Sequence, residues 1–507
     1  MSEAQTPISK VVIVGGGTAG WMAAAALARL MSNKGLSITL VESEAIGTVG
    51  VGEATIPQIT LFNRLLDLDE DAFIKATQAT YKLGIEFVDW TRKGERYFHP
   101  FGNYGADMEG VAFHHFWLHQ QQTGHAPPLG EFCLQEIAAH EGRFMRPDKS
   151  QRNSPLAFIA YAFQFDASLY ARFLRTFAEQ YGVQRIEGRI SHVQQDAETG
   201  HIRSVQLEDG QQIDGELFID CSGFRGLLIE QTLSAGYDDW SRWLPCNRAV
   251  AVACEREQAP QPFTRSTARD AGWQWRIPLQ HRTGNGHVFC DGFIEEQQAI
   301  DTLLNNLEGA PLSDPRPLRF TTGIRRQAWK HNVVSLGLAA GFLEPLESTS
   351  IHLIQTGIAR LMTLFPTRQF DQADIDEYTR ATRTEYEYVR DFLVLHYRQT
   401  ERDDTAFWRH CQSLPVSDHL QRKLELYAAN GRIVRERDEL FTETSWLAVM
   451  HGQGVVPRGH HPVVTGLGDA EIQARLQEMH AVVRNAANVM PTHAQFLSDP
   501  ARQGDTP

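Results

Sequence analysis

The sequence predicts an α/β chain built on a central parallel sheet, and three observations predict it. The first is an apolar, β-branched run, Val11-Val12-Ile13-Val14, of the kind buried on both faces of a parallel sheet. The second is the glycine series Gly15-Gly16-Gly17-Thr18-Ala19-Gly20, which matches G-x-G-x-x-G and leads into an Ala/Leu-rich helical stretch over 21–30. The third is a second apolar run, Ile38-Thr39-Leu40-Val41, which delivers the acid Glu42. Strand, glycine turn, helix, strand and acid in that order define a Rossmann-type dinucleotide-binding unit. Gly15 permits the tight turn, Gly17 lets a pyrophosphate approach the backbone, and Gly20 lets the helix pack close to the strand. Thr18 and Ala19 lie in the turn just before the helix, whose unpaired amides and positive dipole end suit a phosphate. Glu42 stands where a carboxylate accepts hydrogen bonds from a ribose. The motif alone does not separate FAD from NAD.

The 507 residues suffice for more than one core, or for one large core with a cap. Charged residues at 22% and hydrophobic ones at 42% place the chain among ordinary soluble globular proteins. A net charge of −14 argues against a nucleic-acid binder, which needs a basic face. Cys133, Cys221, Cys246, Cys254, Cys290 and Cys411 form no C-x-x-C pair, so neither a zinc site nor a disulfide framework is expected. No metal, signal peptide or membrane span is expected either, and the expected location is the cytoplasm.

After Glu42, residues 50–57 (GVGEATIP) read as an irregular loop, with polar Glu53 and Thr55 suited to touching a ligand. A helical pattern covers 61–79. Residues 81–90 alternate as a strand, and the alternation places Lys82 away from the most apolar side, where a lysine is ordinarily solvated. Residues 97–102 (YFHPFG) set aromatics beside His99, as a core corner or as a pocket wall. The pair His114-His115 lacks acidic or cysteine ligands at a recognisable spacing, which favours packing and hydrogen bonding over metal. An amphipathic helix over 165–177 precedes strands at 189–194 and 202–207, the latter pair forming an inserted sheet. Residues 217–223 read as a buried strand returning to the central sheet and ending in a glycine turn.

Trp273 and Trp275 stand on one face of an extended segment. Residues 333–350 read as strand, glycine turn, loop and helix start, and Ile351, Ile354, Ile358 and Leu361 stripe the helix. Glu347 precedes that helix, and Thr349 and Ser350 lie in its first turn. Two readings stand there, capping and anion binding, and the residues taken alone favour capping. The rest reads as helical, with a long helix from Asp374 to about Tyr397, another from near Asp469 to Pro491, and a loop-rich region around Trp446 between them. The expected organisation is a body over 1–370 and a mainly helical C-terminal cap over 371–507.

Several of these stretches together resemble the flavin-dependent halogenases of the tryptophan-halogenase family. Trp21-Met22-Ala23-Ala24 follows the glycine turn as in that family, and residues 50–57 are similar to its flavin-contacting loop. Residues 273–278 are its W-x-W-x-I-P signature, residues 342–349 its F-x-E-P-L-E-S-T, and residues 220–228 (DCSGFRGLL) are also similar. The resemblance covers nearly the whole chain. It implies the FAD-binding fold of the flavin monooxygenase class, with FAD used as FADH2 and held by Gly15, Gly17, Thr18, Ala19, Gly20, Glu42, Gly52, Ala54, Val193 and Leu338. It implies a halide, chloride or bromide, on the backbone amides of Thr349 and Ser350, where the tryptophan halogenases usually carry glycine at the second position. It implies that FADH2 and O2 turn the halide into hypohalous acid, which Lys82 captures or directs onto an arene. Glu347 then stabilises the arene cation or takes its proton. Trp273 and Trp275 wall the flavin from the organic substrate, and apolar neighbours around Lys82 favour a neutral amine.

His99 and Phe101 match residues that flank the indole in the tryptophan halogenases. Their paired tyrosine and Phe-Trp pair are missing from the shorter stretch here, about residues 430–446. The expected substrate is therefore a simpler indole or a larger aromatic, with free tryptophan a poor one. The resemblance also implies a separate flavin reductase as partner, and a homodimer is compatible with it. Two rivals remain at this level: a single-component FAD monooxygenase that hydroxylates an aromatic, and a non-catalytic flavin-binding protein.

Overall fold

The computed structural model describes residues 6–31, 35–45 and 52–498. Gly50 and Val51 of the expected flavin-contacting loop, and the polar tail after Ser498, lie outside the described residues. Internal contacts divide the chain into two compact units, each assembled from three segments. The first takes residues 1–79, 165–241 and 319–387, and the second takes 80–164, 242–318 and 388–507. The long helix Gln372–Arg398 gives its first part to one unit and its second part to the other.

The first unit holds a six-stranded sheet in the order Trp329–Lys330, Val333–Ser335, Leu217–Asp220, Lys10–Val14, Ser37–Glu42 and Gln184–Glu187. Neighbours run parallel except at the Trp329–Lys330 edge. Val11 to Val14 are buried, as the β-branched run requires. The helix Thr18–Met31, in which Ala23, Ala24, Ala25, Ala26 and Ala28 are buried, packs against the helix Ala167–Gln180. Asp166 caps the second helix by accepting from the Ser168 and Leu169 amides. The inserted sheet is present as Ile190–Gln195, Ile202–Leu207 and Gln212–Asp214, antiparallel throughout. It shares one apolar core with Val12, Val14, Val41 and Phe218. The single helix expected over 61–79 is instead two, Gln58–Leu65 and Glu70–Thr77. Asp67 breaks it at φ 59°, and Asp69 starts the second helix by accepting from the Ala72 amide.

The second unit holds a seven-stranded sheet in the order Arg316–Arg319, Arg248–Cys254, Thr283–Phe289, Gly272–Pro278, Thr264–Arg269, Gly84–Val88 and Arg96–Pro100. The expected strand over 81–90 is split at Leu83 into Thr80–Lys82 and Gly84–Val88. Beyond the long helix this unit is mainly helical, and Trp446 sits within the helix Glu443–Gly452 where a loop was expected. Among the described residues no helix is long and apolar enough to cross a membrane.

Candidate active site

In the first unit the glycine turn is fixed by collisions that side chains would cause. Gly15 has φ +109°, and a Cβ there would lie 2.3 Å from the Cys221 carbonyl oxygen. A Cβ on Gly20 would lie 1.8 Å from the Gly15 carbonyl oxygen. A Cβ on Gly17, in contrast, would meet nothing within 4 Å. The closed positions shape the turn and seat the helix, and the open one leaves room for a bulky anion beside the first helical turn. That turn carries no acidic side chain, so nothing there opposes a phosphate at the positive helix end. The residues present therefore fit the diphosphate of FAD.

Glu42 ends its strand as expected, and Arg185 Nε donates to its Oε1 at 2.5 Å. The same guanidinium reaches Glu44 and Glu187, so it fixes the Glu42 rotamer from the neighbouring strand. Gly16 must also be glycine, because a Cβ there would fall 1.5 Å from Glu42 Oε2. Gly52 and Ala54 are buried on a short strand. Leu338 lies in the turn Gly337–Ala339, which touches the start of the dinucleotide helix: a Cβ on Gly337 would sit 2.8 Å from the Ala19 Cβ. Val193 sits opposite Val205 and packs onto the shared core. Sequence reading missed Asp220, a buried carboxylate. It accepts from the amides of Ser222, Leu228 and Ile229 at 2.9, 2.8 and 2.8 Å, holding the DCSGFRGLL turn together.

The P-L-E-S-T segment lies in the same unit. Glu347 ends the short helix Pro345–Glu347 and is fully buried, as is Glu344, which sequence reading passed over. Ser348 follows in the left-handed region at φ 57°, a conformation costly for a residue with a Cβ and one that turns the chain sharply into the helix Ser350–Thr363. Thr349 occupies the cap position, but its backbone is already helical (φ −89°, ψ −9°) and its side chain makes no capping hydrogen bond. The sequence favoured Ser348 and Glu347 as the capping groups; the cap position is taken instead by Thr349. Its hydroxyl is buried without a hydrogen-bond partner among the described residues.

In the second unit Lys82 is fully buried, not solvated as its place in the alternation suggested. The reason is that residues 80–87 are buried at every position, so alternation there does not report inside against outside. Its strand pairs with Ala162–Asp166, placing Lys82 opposite Ala162. Lys82 Nζ lies 5.3 Å from the centre of the Phe101 ring. The Thr80 hydroxyl donates to the Pro278 carbonyl at 2.7 Å, tying this strand to the end of the W-x-W-x-I-P strand. Trp273 and Trp275 lie side by side on that strand, ring centres 6.1 Å apart, and both are buried. Gly286 opposite makes space for the second indole, since a Cβ there would fall 2.0 Å from it.

His99 is buried on the strand Arg96–Pro100, 5.7 Å from the ring of Phe392 and 6.2 Å from that of Phe441. Phe392 and Phe441 stack at 3.7 Å, and Trp446 meets Phe392 edge-on at 4.9 Å. These three rings join His99 in an aromatic wall. They were invisible as a group in the sequence, because only the fold brings 99, 392, 441 and 446 together.

His493 supports the Lys82 strand. Its Nδ1 bonds the Pro260 carbonyl at 2.7 Å, and its Nε2 accepts from the Tyr81 amide at 3.1 Å, which fixes a neutral tautomer. Burial lowers its pKa to about 4. The unfolded chain takes up a proton below about 6.5 and the folded one does not until about 4, so the contribution is present above pH 6.5 and lost as pH falls through that window. The loss amounts to about 3 kcal/mol. His493→Gln is expected to flatten the fall in urea-denaturation stability between pH 6.5 and 4. An undiminished slope in the variant would place the acid sensitivity elsewhere.

The family model described as "Tryptophan halogenase" matches residues 10–469. A tryptophan 7-halogenase, RebH, of Lentzea aerocolonigenes is 32% identical over 530 residues, covering 97% of this chain and 98% of the relative. The solved structure of Xcc4156, a flavin-dependent halogenase from Xanthomonas campestris, aligns with a TM-score of 0.93 at 51% identity, covering 97% of this chain and 98% of the other. BrvH, a flavin-dependent halogenase from Brevundimonas sp. BAL3, aligns with a TM-score of 0.93 at 48% identity, covering 97% and 99%.

Proposed function

Because this chain belongs to the tryptophan-halogenase family of flavin-dependent enzymes, we propose that it halogenates an electron-rich arene, an indole-type compound in preference to free tryptophan. The family acts on small aromatics and relies on a separate flavin reductase. When bound, FADH2 would give two electrons to O2, and the resulting two-electron oxidant would convert halide to hypohalous acid. Lys82 receives the electrophilic halogen on its amine, or holds the oxidant by a hydrogen bond, and presents it to the ring. The ring carbon forms the new bond to halogen, hydroxide or the amine leaves with the electron pair, and the Glu347 carboxylate takes the displaced ring proton. Thr349 and Ser350 hold the halide, Trp273 and Trp275 shield the flavin, and the segment 371–507 acts as the substrate cap. The observation that carries the reading is the complete burial of Lys82 in a strand hydrogen-bonded to the W-x-W-x-I-P strand. A buried amine is costly and needs a purpose. The aromatic wall of Phe392, Phe441 and Trp446 beside His99 favours a flat apolar substrate.

The test is mass spectrometry of an arene panel (indole, larger indoles, phenols, free tryptophan) with enzyme, FAD, NADH and a flavin reductase, in bromide, in chloride and without halide. A halide-dependent mass on indole-type compounds, exceeding that on tryptophan, is expected. An oxygenated product without halide would replace this reading by a hydroxylase, and FAD binding with no turnover would replace it by a non-catalytic flavoprotein.

A further inference from the structure

In the second unit the helix Phe113–Gln122 and the segment before the helix Asp469–Val489 gather five histidines. Three of them are spent on the backbone. His114 Nε2 bonds the Gly431 carbonyl at 2.8 Å, His115 Nδ1 accepts from the His461 amide at 3.2 Å, and His461 Nδ1 accepts from the Val463 amide at 3.3 Å. His119 and His460 differ, and the 341 positions between them hide the pair from any spacing rule. His119 Nδ1 lies 3.0 Å from His460 Nε2, with the ring centres 4.8 Å apart and the rings inclined at 83°.

The far nitrogen of each ring is already engaged. His119 Nε2 lies 2.8 Å from Asp469 Oδ1, and a carboxylate only accepts, so Nε2 carries a proton. His460 Nδ1 lies 3.3 Å from the His461 carbonyl oxygen, which also only accepts, so this nitrogen carries a proton too. In two neutral rings the nitrogens that face each other then both present lone pairs. Facing lone pairs repel, and only a further proton or a metal ion between them relieves the repulsion. The outer bonds are those of metal-ligating histidines: a carboxylate on one ring and a backbone carbonyl on the other fix the tautomer and raise the basicity of the inner nitrogen. The separation fits as well. Two nitrogens each about 2.1 Å from one ion stand about 3.0 Å apart at a right angle and about 3.4 Å apart at the tetrahedral angle. The observed 3.0 Å is the right-angle value, which suits tetragonal copper(II) or nickel(II) better than tetrahedral zinc. Among the described residues no group of three or more His, Cys, Asp or Glu could hold a metal, so water would fill the remaining positions. The His119 side chain is 16% exposed, which leaves the pair open to solvent.

We propose that His119 Nδ1 and His460 Nε2 form a two-histidine site for a divalent copper or nickel ion, with Asp469 as the residue that positions His119. The bound ion fastens the segment 453–468, which carries His460, to the helix Phe113–Gln122. The site uses none of the residues assigned to halogenation and stands whether or not that reading holds.

The test uses the full chain, free of any affinity tag and stripped with a chelator. Copper(II) is added below one equivalent, and the frozen solution is read by electron paramagnetic resonance. A tetragonal spectrum with splitting from two nitrogens is expected. By competition with a chelator, His119→Gln and His460→Gln should each weaken copper binding by about 100-fold or more, and Asp469→Asn by about tenfold. His192→Gln, at an exposed histidine of the first unit, should leave it unchanged. Zinc should bind more weakly than copper. The second measurement is thermal: nickel(II) should raise the melting temperature of the parent and not that of His119→Gln or His460→Gln, whose melting without metal shows that they fold. Copper binding no tighter to the parent than to the double variant H119Q/H460Q would overturn the proposal, as would a spectrum without two nitrogens. If the parent binds no copper and His119→Gln still melts earlier, the pair shares a proton and the metal site is refuted.

Discussion

Lys82→Ala is expected to lower aryl halogenation by about 10³-fold or more while halide-dependent oxidant formation continues. In the proposed function, Lys82 contributes to the transfer step alone. On the same reading, oxidant production depends on the dinucleotide turn and on the P-L-E-S-T segment, which belong to the other compact unit. Because Lys82 is fully buried, alanine leaves a cavity, and a loss of activity could then come from a loosened strand. Lys82→Met keeps the length and removes the amine, so it separates chemistry from packing. Both variants should bind FAD as the parent does. Both should release oxidant that a chemical trap captures at the parental rate of FADH2 consumption. Aryl halogenation that persists in Lys82→Met after a scavenger has removed the released oxidant would take Lys82 out of the reaction.

Local chain geometry was readable where one motif dictates one conformation. Gly15 and Gly20 are glycine because a Cβ at either would collide with backbone, and the spacing G-x-G-x-x-G encodes both collisions. Gly16 and Arg185 were not readable, since their reason is the Glu42 carboxylate, which strand pairing brings to them. Lys82 was misread as solvated because alternation identifies a buried face only when the other face meets water, and here neither does. The break between the helices Gln58–Leu65 and Glu70–Thr77 had a usable signal in Asp69-Glu70-Asp71, a capping acid followed by acids in the first turn. Nothing of that kind announces Phe392 and Phe441, 49 positions apart in sequence and stacked in the fold. The resemblance, not periodicity, singled out Lys82 and Glu347, and both are fully buried.

Glu347→Gln should lower halogenation by about 10²-fold with FAD affinity changed less than twofold. The substitution keeps volume and hydrogen-bonding shape in a fully buried place and removes only the capacity to carry negative charge and accept a proton. If the carboxylate stabilises the ring cation and takes its proton, the loss falls on kcat, and the KM values for arene and halide move little. A ring deuterated at the halogenated carbon supplies the sharper readout. In the parent, halogen attack is expected to limit the step, with a deuterium effect on kcat near one. In Glu347→Gln, proton removal becomes slow and a primary effect of about two or more is expected. Glu347→Asp, which retains the base at a shorter reach, should lie between the two. A collapse of FAD binding in Glu347→Gln would make Glu347 a structural residue of the turn at Ser348, and an unchanged kcat would assign ring deprotonation to water or to another base. Glu344, also fully buried, is then the first residue to exchange for glutamine, because it sits three positions earlier in the same P-L-E-S-T approach.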